Sequence, residues 1–159
     1  MKHLNRLSLL IGLWLTTLVA LAQQIQPFCE HFETGSRTIF CTFRDADGIW
    51  WNGTSQGLFT SAQLMGRANR VYKRHPELEN IIVQIQQDNV GRLWLMTQAN
   101  KYMIYNPRTN ELISDVEKYL RKVNIRNVTY DFRTHIDAEG KVWIYKDRLL
   151  YVHDFRSHT

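Results

Sequence analysis

Three acidic stretches gather side-chain oxygens at close spacing: Asp45-Ala46-Asp47-Gly48, Asp88-Asn89-Val90-Gly91 and Asp137-Ala138-Glu139-Gly140. A calcium loop would need further oxygen ligands and a Glu at its twelfth position. That position counted from Asp45 is Gln56, and Asn89 and Ala138 break ligand alternation in the other two stretches. Turn chemistry accounts for them better. Asp at the first position of a turn accepts hydrogen bonds from backbone N–H groups two or three residues ahead, and Gly at the fourth tolerates a left-handed backbone.

Other reactive residue types give no catalytic pattern. Of Ser36, Ser55, Ser61, Ser114 and Ser157, none sits in a G-x-S-x-G elbow. His31, His75, His135, His153 and His158 lack metal-ligand spacing such as H-x-x-x-H. Glycoside hydrolysis needs two carboxylates at a defined separation, and no pair is singled out. No catalytic residue, metal or cofactor is assigned, and an enzyme is not expected. The alternative kept open is a piece of a secreted enzyme, a carbohydrate lyase or hydrolase.

The acidic turns belong to a repeat. In each, Gly follows Asp by three residues and Trp follows Gly by three, giving Asp45, Gly48, Trp51; Asp88, Gly91, Trp94; and Asp137, Gly140, Trp143. Each Asp follows an apolar, strand-like run: Thr38–Phe43, Ile81–Ile85 and Tyr130–Ile136. Each Trp opens another, and a third candidate strand follows at Gly57–Phe59, Tyr102–Tyr105 and Leu149–Val152. Strand, tight turn and strand make a hairpin. A period of roughly 40–50 residues with about four short strands is the pattern of a β-propeller blade. The fold class expected is all-β, with about three four-stranded antiparallel blades of an incomplete ring. The Trp would fill the space between neighbouring blades. Apolar residues at 116, 119, 120 and 123 predict one short helical insertion over Asp115–Val123.

The first 22 residues predict the compartment. Lys2, His3 and Arg6 precede the apolar run Leu7–Ala22, which ends in Ala20-Leu21-Ala22 before Gln23. This is the pattern of a secretory signal peptide cut between Ala22 and Gln23, and 16 apolar residues fall short of the roughly 20 that span a bilayer. The expected product is exported, with no membrane span after cleavage. Of the 20 Lys and Arg, two leave with the leader, so 18 stand against 15 acids. They are scattered, the densest cluster being Arg67, Arg70, Lys73 and Arg74, so nucleic-acid binding loses its warrant. Cys29 and Cys41 would meet an oxidising space, and spacing alone leaves pairing and free thiols both open.

The first copy resembles the two-component regulator propeller repeat, D-x-D-G-x-(aliphatic)-W-x-G-T-x-x-G-L. It matches at Asp45, Asp47, Gly48, Trp51, Gly53, Thr54, Gly57 and Leu58, with Trp50 in the aliphatic slot. The second keeps Asp88, Gly91, Leu93, Trp94 and Thr97, with Met96 in place of the Gly and no Gly-Leu pair. The third keeps Asp137, Gly140, Val142 and Trp143, then has Tyr145-Lys146 in place of Gly-Thr. Asn106-Pro107-Arg108-Thr109-Asn110 after Tyr105 is similar to the turn that closes such blades. The resemblance covers most of residues 37–155, and the domains read as a leader over 1–22 and a partial propeller over 23–159. Within the latter the repeats lie around 37–75, 80–112 and 124–155.

The resemblance implies the periplasmic sensor half of a hybrid two-component system of Bacteroidota, where such repeats usually sense oligosaccharides. The kinase itself is lacking, so the chain reads as the amino-terminal blades of such a sensor. Loops near Gly66–Arg74 and Lys146–Arg148 are candidates for holding a ligand. Three blades do not close a ring, so self-association, or pairing with remaining blades through the open edges, is expected.

Overall fold

The Asp-x-x-Gly turns do what hairpin turns must. In a computed structural model that describes residues 36–66, 75–126, 128 and 131–157, each joins two antiparallel strands. The glycines take left-handed φ of +83° (Gly48), +86° (Gly91) and +76° (Gly140). Each Gly N–H donates to its Asp carbonyl at 3.0 Å, closing the turn. The described residues lie within one compact unit of the chain, Glu33–Thr159.

The strands are β1 (Ile39–Arg44), β2 (Trp50–Thr54), β3 (Gly57–Thr60), β4 (Ile82–Gln87), β5 (Leu93–Thr97), β6 (Tyr102–Asn106), β7 (Glu111–Ile113), β8 (Arg133–Ile136), β9 (Val142–Lys146) and β10 (Leu149–His153). They form three antiparallel meanders, β1-β2-β3, β4-β5-β6-β7 and β8-β9-β10. The fold is thus all-β and built of blade-like sheets. The full four strands occur in the middle sheet, and three are described in each outer one. Register is equivalent throughout: Phe43 faces Trp51, Gln86 faces Trp94 and His135 faces Trp143. The helices are α1 (Ser61–Leu64), α2 (Val116–Lys122) and a 3-10 turn at Pro76–Glu79. The expected insertion is α2, N-capped by Asp115, whose carboxylate accepts from Lys118 N–H at 2.9 Å. Sequence periodicity missed α1, whose four residues are too short to show one. It is set by the Thr60–Gln63 capping box.

Stacking the sheets makes two cores. Trp51, Leu58, Leu78, Ile82, Leu93, Leu95 and Tyr105 join the first sheet to the second. Trp94, Tyr102, Ile104, Phe132, Val142, Ile144 and Phe155 join the second to the third, with Val116 and Leu120 of α2. Among the described residues no helix is long and apolar enough to cross a membrane. The leader residues Ala20, Ala22 and Gln23, together with Cys29, His31 and the Arg67–Arg74 cluster, lie outside the described residues.

Candidate functional site

The repeated carboxylates are occupied by the fold. Asp45 Oδ2 accepts from the Trp51 indole N–H at 2.7 Å, Asp88 Oδ2 from Trp94 at 2.9 Å, and Asp137 Oδ2 from Trp143 at 2.7 Å. The other oxygen, Oδ1, accepts from the backbone N–H four residues on, at Ile49, Arg92 and Lys141. It also takes the N–H two residues on at Val90 and Glu139. The expected bond two residues ahead is thus met at Asp88 and Asp137, and the bond four residues ahead, common to all three turns, extends that reach. The recurrent Asp–Trp bond went unread, although a fixed Asp-to-Trp offset of six residues in all three copies was its visible signal. Among the described residues no three His, Cys, Asp or Glu side chains converge on a metal position.

The remaining motif residues shape the turn after the Trp. Thr54 Oγ1 donates to Gly57 O at 2.8 Å and accepts from Gln56 N–H. Thr97 Oγ1 likewise accepts from Lys101 N–H at 3.1 Å. A Cβ on Gly53 would stand 2.6 Å from Ile82 O, and Gly57, at φ +112°, has the Leu78 carbonyl against it. Leu58 is fully buried. Asp47 lies on the surface and takes Arg108 of the β6–β7 turn as a two-pronged partner, Nη2 to Oδ1 at 2.8 Å and Nε to Oδ2 at 3.1 Å. That guanidinium holds the Asp47 carboxyl below the usual carboxylate range.

A related turn follows β10 and was not recognised in the sequence, because its Pro position holds Phe155. Asp154 Oδ1 accepts from Arg156 and Ser157 N–H, as Asn106 Oδ1 accepts from Arg108 and Thr109 N–H. Arg156 Nη2 reaches back to Asn89 O at 2.7 Å, and Asn89 Nδ2 donates to Asp154 at 2.6 Å. Both arginines therefore tie one sheet to the Asp turn of the sheet before it.

Two larger clefts lie at opposite ends of the strands. The first, about 710 Å³, runs between the three Asp turns and is lined by Gln87, Asn89, Arg108 and Arg156. Most of its polar side chains are already engaged in holding turns together. Gln87, for example, accepts from Ala46 N–H and donates to Gly91 O. The second, about 620 Å³, is bounded by the 3-10 turn and the β5–β6 turn, with Glu77, Gln98, Lys101, Tyr102 and Ser114 on its wall. There Glu77, Gln98, Lys101 and Ser114 make no side-chain hydrogen bond or ion pair among the described residues. Lys101, Tyr102 and Ser114 also line an adjoining hollow of about 320 Å³ beside Asp115 and Phe132.

The β5–β6 turn is firm. Thr97 N–H donates to Lys101 O and Asn100 N–H to Thr97 O, both at 2.9 Å, with Asn100 left-handed at φ 57°. Behind it Tyr102 stacks on Phe132 at 4.7 Å and accepts from Thr134 N–H. Glu77, Gln98, Lys101 and Ser114 thus place unengaged polar groups along the rim of this turn. Of the loops named from sequence, 67–74 lies outside the described residues. Lys146–Arg148 forms the β9–β10 turn, at the same end of the strands as this cleft but not on its wall.

No family model matches the chain, and no curated protein matches it either. Solved structures do. The chain is similar to the extracellular domain of BT4673 from B. thetaiotaomicron, described there as a hybrid two-component system, at 22% identity and a TM-score of 0.53. A second structure of that domain, described as a one-component system, matches at 21% identity and the same TM-score. Each match covers 76% of this chain and 17% of the other, so the chain spans about a sixth of its neighbours' length. The likeness establishes a shared fold.

Proposed function

We propose that the chain is part of an exported, ligand-sensing β-propeller domain of a two-component signalling system. Residues 1–22 act as the leader, 23–159 form the blades, and the product works in the periplasm. The likeness to the extracellular domain of a two-component system carries the reading. Repeats placed around 37–75, 80–112 and 124–155 supply the blades. The ligand class is an oligosaccharide, held at the cleft of the β5–β6 turn by Gln98, Lys101, Glu77 and Ser114 against Tyr102. Those side chains favour this end over the Asp-turn end, where the polar groups already hold the sheets together. The role is recognition without turnover.

Calorimetric titration of the full chain with plant and host oligosaccharides tests this. Binding of one sugar class is expected, weakened about 10-fold or more by Lys101→Ala or Gln98→Ala through loss of a hydrogen bond. Arg156→Ala, at the other cleft, should leave it unchanged. Binding indifferent to both cleft variants moves the site elsewhere. Release of shortened sugars during the titration would instead support the lyase or hydrolase reading.

A further inference from the structure

The cleft of the β5–β6 turn opens into a second space. Lys101, Tyr102 and Ser114 line the cleft and also the hollow of about 320 Å³ beside α2, so the two meet across these residues. Pockets of about 300–1,000 Å³ hold whole small ligands, and the hollow has room for one unit of a chain that continues into the cleft.

The hollow differs chemically from the cleft. Its apolar lining is Val116 of α2 with Phe132, which stacks on Tyr102. Its charged lining is Lys101, Arg121, Asp115 and Glu117. Asp115 is taken up by the helix cap, accepting from Lys118 N–H at 2.9 Å. Glu117 lies 3.8 Å from Arg121 Nη1, an ion pair too long for a hydrogen bond. Neither the Arg121 guanidinium nor the Lys101 ammonium makes a side-chain hydrogen bond among the described residues. Their surroundings are basic too, with Lys118, Arg121, Lys122 and Arg126 against Asp115 and Glu117 over residues 115–126. Glu77, an unengaged carboxylate, stands on the wall of the cleft and not on that of the hollow.

We propose that the hollow is an anion-accepting subsite, and that the ligand is an oligosaccharide with an acidic unit, a uronate or a sulfate ester. The inference rests on the sensing role proposed above and adds the charge of the ligand and its orientation. Arg121 offers a planar fork to the anionic group, and Lys101 meets it from the ridge shared with the cleft. Binding exchanges a loose, exposed Glu117–Arg121 pair, worth little in water, for charge-assisted hydrogen bonds. The reverse orientation would set the anion beside Glu77, so the acidic unit enters the hollow and a neutral one fills the cleft.

Calorimetric titration of the full chain with matched neutral, uronic-acid and sulfated disaccharides of the glucose, galactose and mannose series tests this. One acidic disaccharide should bind about 10-fold or more tighter than its neutral match at low salt, and the advantage should shrink at about 0.5 M salt. The uronate and sulfated arms tell which anion is taken. Arg121→Gln should abolish the advantage and leave affinity for the neutral match unchanged. Lys118→Gln removes a charge from the same helix but not from the hollow, and should keep the advantage. Equal binding of neutral and acidic forms, or binding of neutral forms alone, overturns the subsite while the sensing role stands. An advantage lost equally in both variants overturns it in favour of diffuse attraction to α2. Failure of every disaccharide to bind overturns the oligosaccharide reading and the subsite together.

Discussion

The two interfaces inside the chain are built differently. Between the first and second sheets the backbone closes down. Gly53 faces Ile82 O, and Gly57 faces the Leu78 carbonyl with no room for a Cβ. Between the second and third sheets Met96 and Lys101 hold the equivalent places, and α2 with Phe132 fills the gap less tightly, leaving the hollow beside Tyr102. The glycines of the repeat therefore answer to the neighbouring sheet's approach as much as to the turn itself. Where the neighbour retreats behind a helix, the glycines give way to longer side chains, and an unengaged polar cleft appears.

Gly57→Ala puts the sharpest strain on that contrast. A Cβ at φ +112° against the Leu78 carbonyl should cost about 2–4 kcal/mol, combining backbone strain with overpacking. Lys101→Ala, at the matching place in the second sheet, should stay within about 0.5 kcal/mol. Urea unfolding of both variants measures the difference, and equal losses would erase the distinction between the two interfaces.

The Asp–Trp pairs extend the comparison to the third sheet. Trp94→Phe leaves a cavity in the second core and removes the indole donor from buried Asp88, an expected loss of about 2–4 kcal/mol. Trp143→Phe removes the same bond at a half-buried position and should cost under about 1 kcal/mol. Equal losses would show that Trp143 is as fully buried in solution as Trp94 is.

Much of this architecture was legible because the repeat writes the same physical demand three times. Asp45, Asp88 and Asp137 open turns whose Gly must go left-handed, and no other local reading fits all three. Most strands followed from their apolar runs within two residues and α2 from its 3.6-residue spacing, but β8 starts at Arg133, three residues after its run begins, and β7 (Glu111–Ile113) had no named run. What stayed hidden depends on tertiary neighbours. Asp154-Phe155-Arg156 lacks the proline that marks its counterpart, so its role in reaching Asn89 emerges only when the third sheet lies beside the second. The cleft at Gln98–Tyr102 was hidden for a similar reason. Nothing local to Met96 and Lys101 says that the neighbour at that point is a helix and not a closely packed strand.

Acid should act mainly through the turns. The indole of Trp143, then the backbone N–H groups of Lys141 and Glu139, hold the Asp137 carboxyl below the ordinary range against the opposing effect of burial. Asn89 and the N–H groups of Ser157 and Arg156 do the same for Asp154, and Arg108 for Asp47. A carboxyl depressed in the folded state contributes stability above its unfolded value, near 3.9, and loses it as pH falls through the lower folded value. Thermal midpoints should therefore hold steady down to about pH 5 and decline below about pH 4. Trp143→Phe removes the first cause of the Asp137 shift, so its decline should be shallower than that of the unaltered chain. A steeper decline in the variant would show that the indole does not set this carboxyl.

The smallest effect is expected at the most conspicuous ion pair. Arg108 grips Asp47 with two nitrogens and links the first two sheets, yet both side chains stand in water, 62% and 46% exposed. Solvent screening and the entropy of fixing two long side chains offset most of the attraction. Arg108→Ala should leave the urea midpoint nearly unchanged at 0.5 M salt, a condition chosen because the Debye length there is only about 4–5 Å. A slight loss should emerge at low salt. Asn89–Asp154, its counterpart between the second and third sheets, is partly buried and bonds at 2.6 Å. Asn89→Ala should therefore lower the midpoint at both salt concentrations. A salt-dependent loss at Asn89 and a salt-independent one at Arg108 would reverse the ranking, and would mean that the turn contacts, and not the apolar faces behind them, set how closely the first two sheets approach.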